Sequence, residues 1–320
     1  MPSALEGLLA AGTVVVADTG DPEAVAEHRP RDATTNPSLI LKAQRAAGRG
    51  GATLAAAVAE AREAGEAGAE AVVDRLLVLY GSQILDLVPG RVSTEVDAKL
   101  SFDAGATVAK ARKLIRLYEA RGVSRARVLI KLAATWEGVQ ACRILEAEGI
   151  HCNMTLVFSL TQAAACAEAG ATLISPFVGR ILDWFRQSTG RDFAPAEDPG
   201  VLSVKACYAY YQRHGYDVEV MGASFRSVGE ILELAGCPLL TISPALLTEL
   251  REMEVDEVPV KLSPEAGKAE GAEKLEGTEA LFRYRLAMDA MASEKLNEGI
   301  RKFVADAEAL ERIAVEAIAA

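Results

Sequence analysis

The run Val128-Leu129-Ile130-Lys131-Leu132 sets a single ammonium among apolar side chains. Along a strand successive side chains alternate between faces, so Lys131 shares a face with Leu129 and opposes Ile130 and Leu132. If both faces are buried, the cation is buried too. Desolvation disfavours the charged form and would leave a free amine able to attack a carbonyl and form a Schiff base. The ordinary alternative is a strand-end lysine with a buried stem and a head that reaches water. Amine addition and imine formation need proton transfers at oxygen. Asp18, which ends Thr13-Val14-Val15-Val16-Ala17-Asp18, and Glu95, which ends Arg91-Val92-Ser93-Thr94-Glu95, could supply them. Each alone would read as a strand-end cap or ion-pair partner, and it is their shared position with Lys131 at strand ends that points to acid–base work. Arg180, after Ser175-Pro176-Phe177-Val178-Gly179, and Arg226, after Gly222-Ala223-Ser224-Phe225, follow short glycine-containing loops. Guanidinium groups held there suit a phosphate through bidentate, charge-assisted hydrogen bonds, with a surface ion pair as the plain alternative.

The elements that must position these residues follow from pattern. β-type runs are expected near 13–18, 32–35, 91–95, 128–132, 152–157, 173–176, 219–222 and 239–242. The segments between them are rich in Ala, Glu, Arg and Leu and read as helices. In 105–121, for instance, Val108, Ala111, Leu114, Ile115 and Tyr118 form a stripe at helical spacing. Eight strand–helix units over this length predict a closed (β/α)₈ barrel rather than an open doubly wound sheet. In such a barrel the chemistry sits at the C-terminal ends of the strands. Polar residues fall there repeatedly: Asp18, Thr34 with Asn36, Glu95, Lys131, Asn153 with Thr155, Ser175, and Ser224 with Arg226.

Residues 254–277 are acidic, rich in Gly, Pro and Glu, and lack a clean period, which predicts a linker with little regular structure. Beyond them Leu296, Ile300, Phe303, Ala307 and Leu310 mark a long amphipathic helix near 278–318. It is expected to pack back on the barrel wall, or else to make a subunit contact in a homodimer. The whole chain, 1–320, thus reads as a single barrel domain with this addition.

Composition narrows the partners. Of 320 residues, 34 are Lys or Arg and 45 are Asp or Glu, for a net charge of −11, which disfavours nucleic acid or an anionic membrane as a partner. No apolar stretch is long enough to span a membrane and no export signal is evident, so a cytoplasmic location is expected. Five scattered cysteines form no C-x-x-C pair, and His28, His151 and His214 show no ligand spacing, so no metal site is expected. Neither a G-x-G-x-x-G nor a G-x-x-x-x-G-K-[ST] loop is present, which speaks against dinucleotide and nucleoside triphosphate binding. Lys110, Arg112, Lys113 and Arg116 surround the stripe of an amphipathic helix and read as a solvated face. Asn153-Met154-Thr155 matches a glycosylation sequon, discounted because it lies in a strand of a chain with no export signal.

At this point the residues resemble a known family. Asp32-Ala33-Thr34-Thr35-Asn36-Pro37-Ser38-Leu39-Ile40, and Ile130-Lys131-Leu132 running to Thr135-Trp136-Glu137-Gly138, are similar to the two signature motifs of the transaldolases. Further similar blocks are 89–97, 174–184, 221–226 and 298–303, so the resemblance runs from about residue 13 to residue 310. It implies a class I aldolase barrel that moves a dihydroxyacetone unit from sedoheptulose 7-phosphate or fructose 6-phosphate to an aldose phosphate, in the non-oxidative pentose phosphate pathway. By the same resemblance Lys131 is the Schiff-base lysine and Asp18 the acid/base on the donor's C4 hydroxyl. Glu95 acts through a water, aided by Thr155. Asn36, Asn153 and Ser175 hold substrate hydroxyls, while Arg180, Ser224 and Arg226 take the phosphate. Phe177 lines the pocket and Thr34 is a polar neighbour of the lysine. No cofactor is implied, because a protonated imine serves as the electron sink. The family more often has Trp where Tyr284 stands and Asn where Ala287 stands. Two other functions are weighed: a related fructose-6-phosphate aldolase that releases dihydroxyacetone, which resembles this pattern less well at Glu95, and a catalytically silent sugar-phosphate-binding barrel.

Overall fold

The computed structural model describes residues 1–46, 50–66 and 68–320. Eight parallel strands close in sequence order into a barrel. They are β1 (Val14–Asp18), β2 (Asp32–Thr34), β3 (Val92–Glu95), β4 (Val128–Ala133), β5 (Cys152–Val157), β6 (Leu173–Pro176), β7 (Glu219–Gly222) and β8 (Leu239–Ile242). Each lies within a residue or so of the run expected from sequence, and helices follow the strands to form the outer wall.

Period-two alternation explains how one barrel holds both a dry wall and a polar site. Ala17, Val92, Val128, Ile130, Leu132, Cys152, Met154, Ile174, Val220, Leu240 and Ile242 point outward into a single apolar layer under the helices. Val16, Leu129, Leu173, Met221 and Leu239 form a separate cluster inside the barrel. Two residues further on, the inward positions become Asp18, Lys131, Ser175 and Thr241, so the polar side chains stand on an apolar floor. Below that floor, Arg91 bridges Asp32 (3.4 Å) and Glu219 (2.8 Å).

The βα loops are fixed by side-chain caps. Asn36 accepts the Leu39 N–H, Thr135 that of Gly138, Ser159 that of Gln162 and Ser227 that of Glu230. Each cap satisfies an otherwise orphaned N–H at a helix start and sets where the preceding strand end points.

The C-terminal helix, Ala290–Ala319, runs across the barrel mouth and packs on β5 and on the helices Pro37–Arg45, Ala69–Leu85 and Val178–Thr189. All five residues of its expected seam, from Leu296 to Leu310, are buried. Asp306 accepts a hydrogen bond from Ser38, and Glu311 pairs with Lys99 at 3.0 Å. Tyr284 and Ala287, the two departures from the family pattern, are exposed on the preceding helix, Glu279–Met288.

Three local expectations change. The long helix expected near 278–318 is two, Glu279–Met288 and Ala290–Ala319, because Asp289 turns to an extended conformation and caps the second through the Ala292 N–H. Residues 254–277 contain a short helix, Pro264–Glu270, capped by Ser263 and with Gly267 set close against Gln212 and Tyr208. A serine followed by proline is a helix-start signal that the surrounding Gly and Glu obscured. Lys110 is not on a solvated face. It is buried, with its ammonium 2.8 Å from Asp74 on the helix Ala69–Leu85 and 2.6 Å from Glu70, while Lys113 reaches the other Asp74 oxygen at 2.9 Å. Arg112 and Arg116 are exposed, as read. Asp74 is itself buried in the helix interface, and a buried carboxylate draws a partner inward.

Candidate active site

Strand register assembles the reactive groups. Glu95 of β3 is the ladder partner of Lys131 in β4, and Lys131 is in turn the partner of Asn153 in β5, so three inward side chains lie side by side. Lys131 is 4% exposed. Its Nζ lies 3.9 Å from Glu95 Oε2 and 3.4 Å from the Thr35 carbonyl, which leaves a buried amine with few partners in a polar chamber.

The two carboxyls are tuned by burial. It raises Asp18 above its usual range, opposed by Lys131, by a hydrogen bond from Thr34 and by Arg180. Burial likewise pushes Glu95 up to about 7, with Lys131 and Arg180 opposing and Asp18 adding to the rise. Glu95 Oε2 and Thr155 Oγ1 are buried, with no hydrogen-bond partner among the described residues. Buried polar atoms in native proteins are normally paired, so two such orphans in one chamber mark a place that expects a polar guest.

The neighbouring side chains form short relays. Thr34 Oγ1 bonds Asp18 Oδ1 at 3.0 Å and Thr241 Oγ1 at 2.7 Å. Asn153 donates to Ser93 Oγ at 3.0 Å and accepts from Ser175 Oγ at 2.7 Å. Thr241 and Ser93 were missed from sequence. Each sits two residues along from an inward neighbour, Leu239 and Glu95 respectively, so the alternation that located Lys131 would have found both. Asn36 stands beside Thr35 at the rim, but its side-chain oxygen is taken by the Leu39 N–H at 2.9 Å, which leaves its amide nitrogen for a ligand.

A cationic end lies beside this chamber. Arg180 is held over the rings of Phe177 and Phe303, 4.7 and 5.5 Å from their centroids. Its Nη1 is buried with no partner among the described residues. Burial, then Arg226, draws its pKa down, against the pull of Glu95, Glu298 and Asp18. Arg226 is more open, and Asp183 grips its guanidinium at 2.7 Å. Its Nη1 also donates to Ser224 Oγ at 3.3 Å. Ser224 takes a left-handed backbone (φ 63°), and a Cβ at Gly179 would meet the Ser224 carbonyl at 2.5 Å, so the two loops interlock only with glycine there.

Two arginines after β6 and β7, a buried amine on β4, and two carboxyls with raised pKa values on β1 and β3 can together bind a phosphorylated carbonyl compound and move protons while an imine forms and breaks. Among the described residues, one trio of metal-ligating types, Cys142, Glu146 and Cys152, clusters within 4.8 Å on the far side of the barrel wall. Both Glu146 oxygens are already engaged there, by the N–H groups of Cys152 and Thr172 and by His151.

The family model described as transaldolase/fructose-6-phosphate aldolase matches residues 15–313. The chain is 57% identical over 313 residues to a transaldolase of Kluyveromyces lactis, covering 95% of this chain and 92% of that protein. It is 55% identical over 312 residues to a transaldolase of Gloeobacter violaceus, covering 96% of this chain and 80% of that one.

Proposed function

The chain belongs to the transaldolase/fructose-6-phosphate aldolase family, and from that premise we propose that it is a transferase that carries a dihydroxyacetone unit between sugar phosphates through an imine on Lys131. The observation that carries this reading is the buried Lys131 amine set between Glu95 and the Thr35 carbonyl. The donor is fructose 6-phosphate or sedoheptulose 7-phosphate, and the acceptor is erythrose 4-phosphate or glyceraldehyde 3-phosphate, in the non-oxidative pentose phosphate pathway. Lys131 Nζ adds to the donor C2 carbonyl and water leaves. Asp18 takes the C4 hydroxyl proton, the C3–C4 bond breaks, and its electron pair enters the protonated imine to give an enamine on Lys131. The aldose phosphate departs. The enamine carbon then attacks the acceptor carbonyl, Asp18 returns the proton, and Glu95 with a water on Thr155 hydrolyses the new imine. Burial raises Asp18, which makes it a stronger proton acceptor, and Glu95, raised to about 7, is suited to give and take protons near neutrality.

Arg180, Ser224 and Arg226 take the phosphate. Thr34, Asn36, Asn153 and Ser175 hold hydroxyls, and Phe177 closes the wall behind Arg180. The terminal helix over the mouth limits water around the enamine, which transfer requires. In the same reading residues 1–320 are one catalytic domain, and the cytoplasm is its compartment, in keeping with five buried free cysteines.

Incubation with fructose 6-phosphate and borohydride should leave a reduced three-carbon adduct on the peptide containing Lys131, absent in Lys131→Ala. An adduct elsewhere, or none, overturns the imine. With erythrose 4-phosphate and no reductant, sedoheptulose 7-phosphate should form. Free dihydroxyacetone in its place would make the protein an aldolase.

A further inference from the structure

The loop carrying Ser224 and Arg226 rests on two buried carboxyls that the chemistry above leaves unused. Glu230 lies in the helix Val228–Leu232, and Asp198 caps the helix Pro199–His214; each is 1% exposed. Glu230 Oε2 accepts the backbone N–H of Arg226 at 2.6 Å. Its other oxygen, Oε1, is buried with no hydrogen-bond donor among the described residues. Asp198 Oδ1 accepts the Gly200 N–H at 2.7 Å, and the turn leading to Asp198 lies against the Glu230 helix, where a Cβ at Gly229 would meet the Pro195 side chain at 2.7 Å, so the two buried carboxyls share one interface. Two ionised carboxylates buried in one interface would repel, and the orphaned Glu230 oxygen would have no donor. One proton between them removes both problems.

We propose that Glu230 carries that proton and donates it to Asp198, and that this neutral acid is the platform that positions the Arg226 loop for a substrate phosphate. The proposal rests on the phosphate-binding reading of Arg226 given above. Burial raises both groups, Glu230 to about 7 with Asp198 adding to the rise, while the hydrogen bond from Glu230 lowers Asp198, as expected for donor and acceptor respectively. A neutral Glu230 accepts the Arg226 N–H and leaves the pair with a single negative charge, on Asp198, whereas an ionised Glu230 would add a second charge directly behind the Arg226 amide. Among the described residues, the charged groups near the pair include Arg186, on the helix Val178–Thr189, and Arg226, itself held by Asp183. The helix Pro244–Glu252, packed against Val228–Leu232, turns the apolar Leu247 and Leu250 inward.

Glu230 is therefore a positioning residue, and the amide variant separates its role from plain packing. Half-saturation is read by borohydride trapping on Lys131, with fructose 6-phosphate and with unphosphorylated dihydroxyacetone. Glu230→Ala should raise half-saturation for fructose 6-phosphate about tenfold, the scale of one buried hydrogen bond, and leave dihydroxyacetone unchanged. Glu230→Gln keeps an acceptor for Arg226 and a donor for Asp198. It should match the parent protein at pH 6, and by pH 8.5 should bind fructose 6-phosphate more tightly than the parent, whose pair has by then lost its shared proton. Equal losses with both ligands in Glu230→Ala, or Glu230→Gln behaving as Glu230→Ala at pH 6, overturn the proposal. Arg226→Ala is the control on its premise. If it leaves fructose 6-phosphate binding intact, the phosphate reading itself fails. If it weakens binding while the Glu230 variants do not, only the present inference fails.

Discussion

Glu95 shows how one side chain can couple catalysis to stability. The folded protein holds its proton up to about pH 7, whereas an unperturbed glutamate releases it near 4.5. Folding therefore takes up a proton between these values. The sign follows: this contribution to stability is present at pH 4 and is lost as pH rises through 7. Glu95→Gln removes the ionisation and should be more stable than the parent at pH 8, by up to about 3 kcal/mol, and indistinguishable from it at pH 4 by urea unfolding. The same variant should lose about 100-fold or more in turnover, together with the limb of the pH–rate profile near 7. Unchanged relative stability between the two pH values would contradict the burial argument. At this scale the sequence was legible where a polar residue interrupts or closes a strand, as at Lys131, Asp18 and Thr34, although Thr241, set the same way in Leu239-Leu240-Thr241-Ile242, was passed over. It was opaque where the partner comes from a distant loop. Nothing in Gly222-Ala223-Ser224-Phe225-Arg226 reveals that Asp183 holds the guanidinium, nor that Glu230 supports the backbone, because both contacts depend on how neighbouring units pack.

Element boundaries were legible for a simple reason: the strands are short apolar runs between helical segments, and the barrel closes in sequence order, so pairing required no long-range inference. What the runs conceal is the irregularity in β5. Register shifts between Met154 and Val157, where Leu156 is buried in a left-handed conformation (φ 55°), a strained state for a branched-chain residue. This bend lies directly after Thr155 and is braced by Gln162, which is fully buried. Gln162 Nε2 donates to the Leu156 carbonyl and to the Ala134 carbonyl beyond β4, each at 2.9 Å, and its Oε1 accepts the Phe158 N–H at 2.9 Å. One amide thus ties together the ends of the two strands that carry Lys131 and Thr155. Gln162→Leu keeps the volume but strands two carbonyls and an N–H. It should destabilise the protein by about 3 kcal/mol or more, measured by urea unfolding, and lower turnover through the displaced Thr155. A loss below about 1 kcal/mol would mean that the bend holds itself. Nothing in Ser159-Leu160-Thr161-Gln162 marks the glutamine as a brace, because its partners Leu156 and Ala134 come together only when β4 and β5 pair.

Across the whole molecule, acidity and an anionic substrate must be reconciled. The net charge is −11, yet the mouth carries Lys131, Arg180 and Arg226 against Asp18, Glu95 and Asp183, and Glu95 is largely protonated below neutral pH. Local attraction is therefore short in range. Arg180, half-buried with its Nη1 fully enclosed, sits between Phe177 and Phe303 beneath the terminal helix and acts only on a ligand already inside. At distance an approaching dianion meets the general negative field. That field reaches about 30 Å at 0.01 M salt and about 8 Å at 0.15 M. Raising sodium chloride across this range should thus increase kcat/KM for fructose 6-phosphate, by roughly twofold, as the repulsion is screened. Borohydride trapping by uncharged dihydroxyacetone should not change. A steep fall for the phosphorylated donor alone would mean that the arginines project a steering field beyond the mouth. Capture would then be governed by the loops around Arg226, rather than by contacts made after the terminal helix and the barrel have enclosed the substrate.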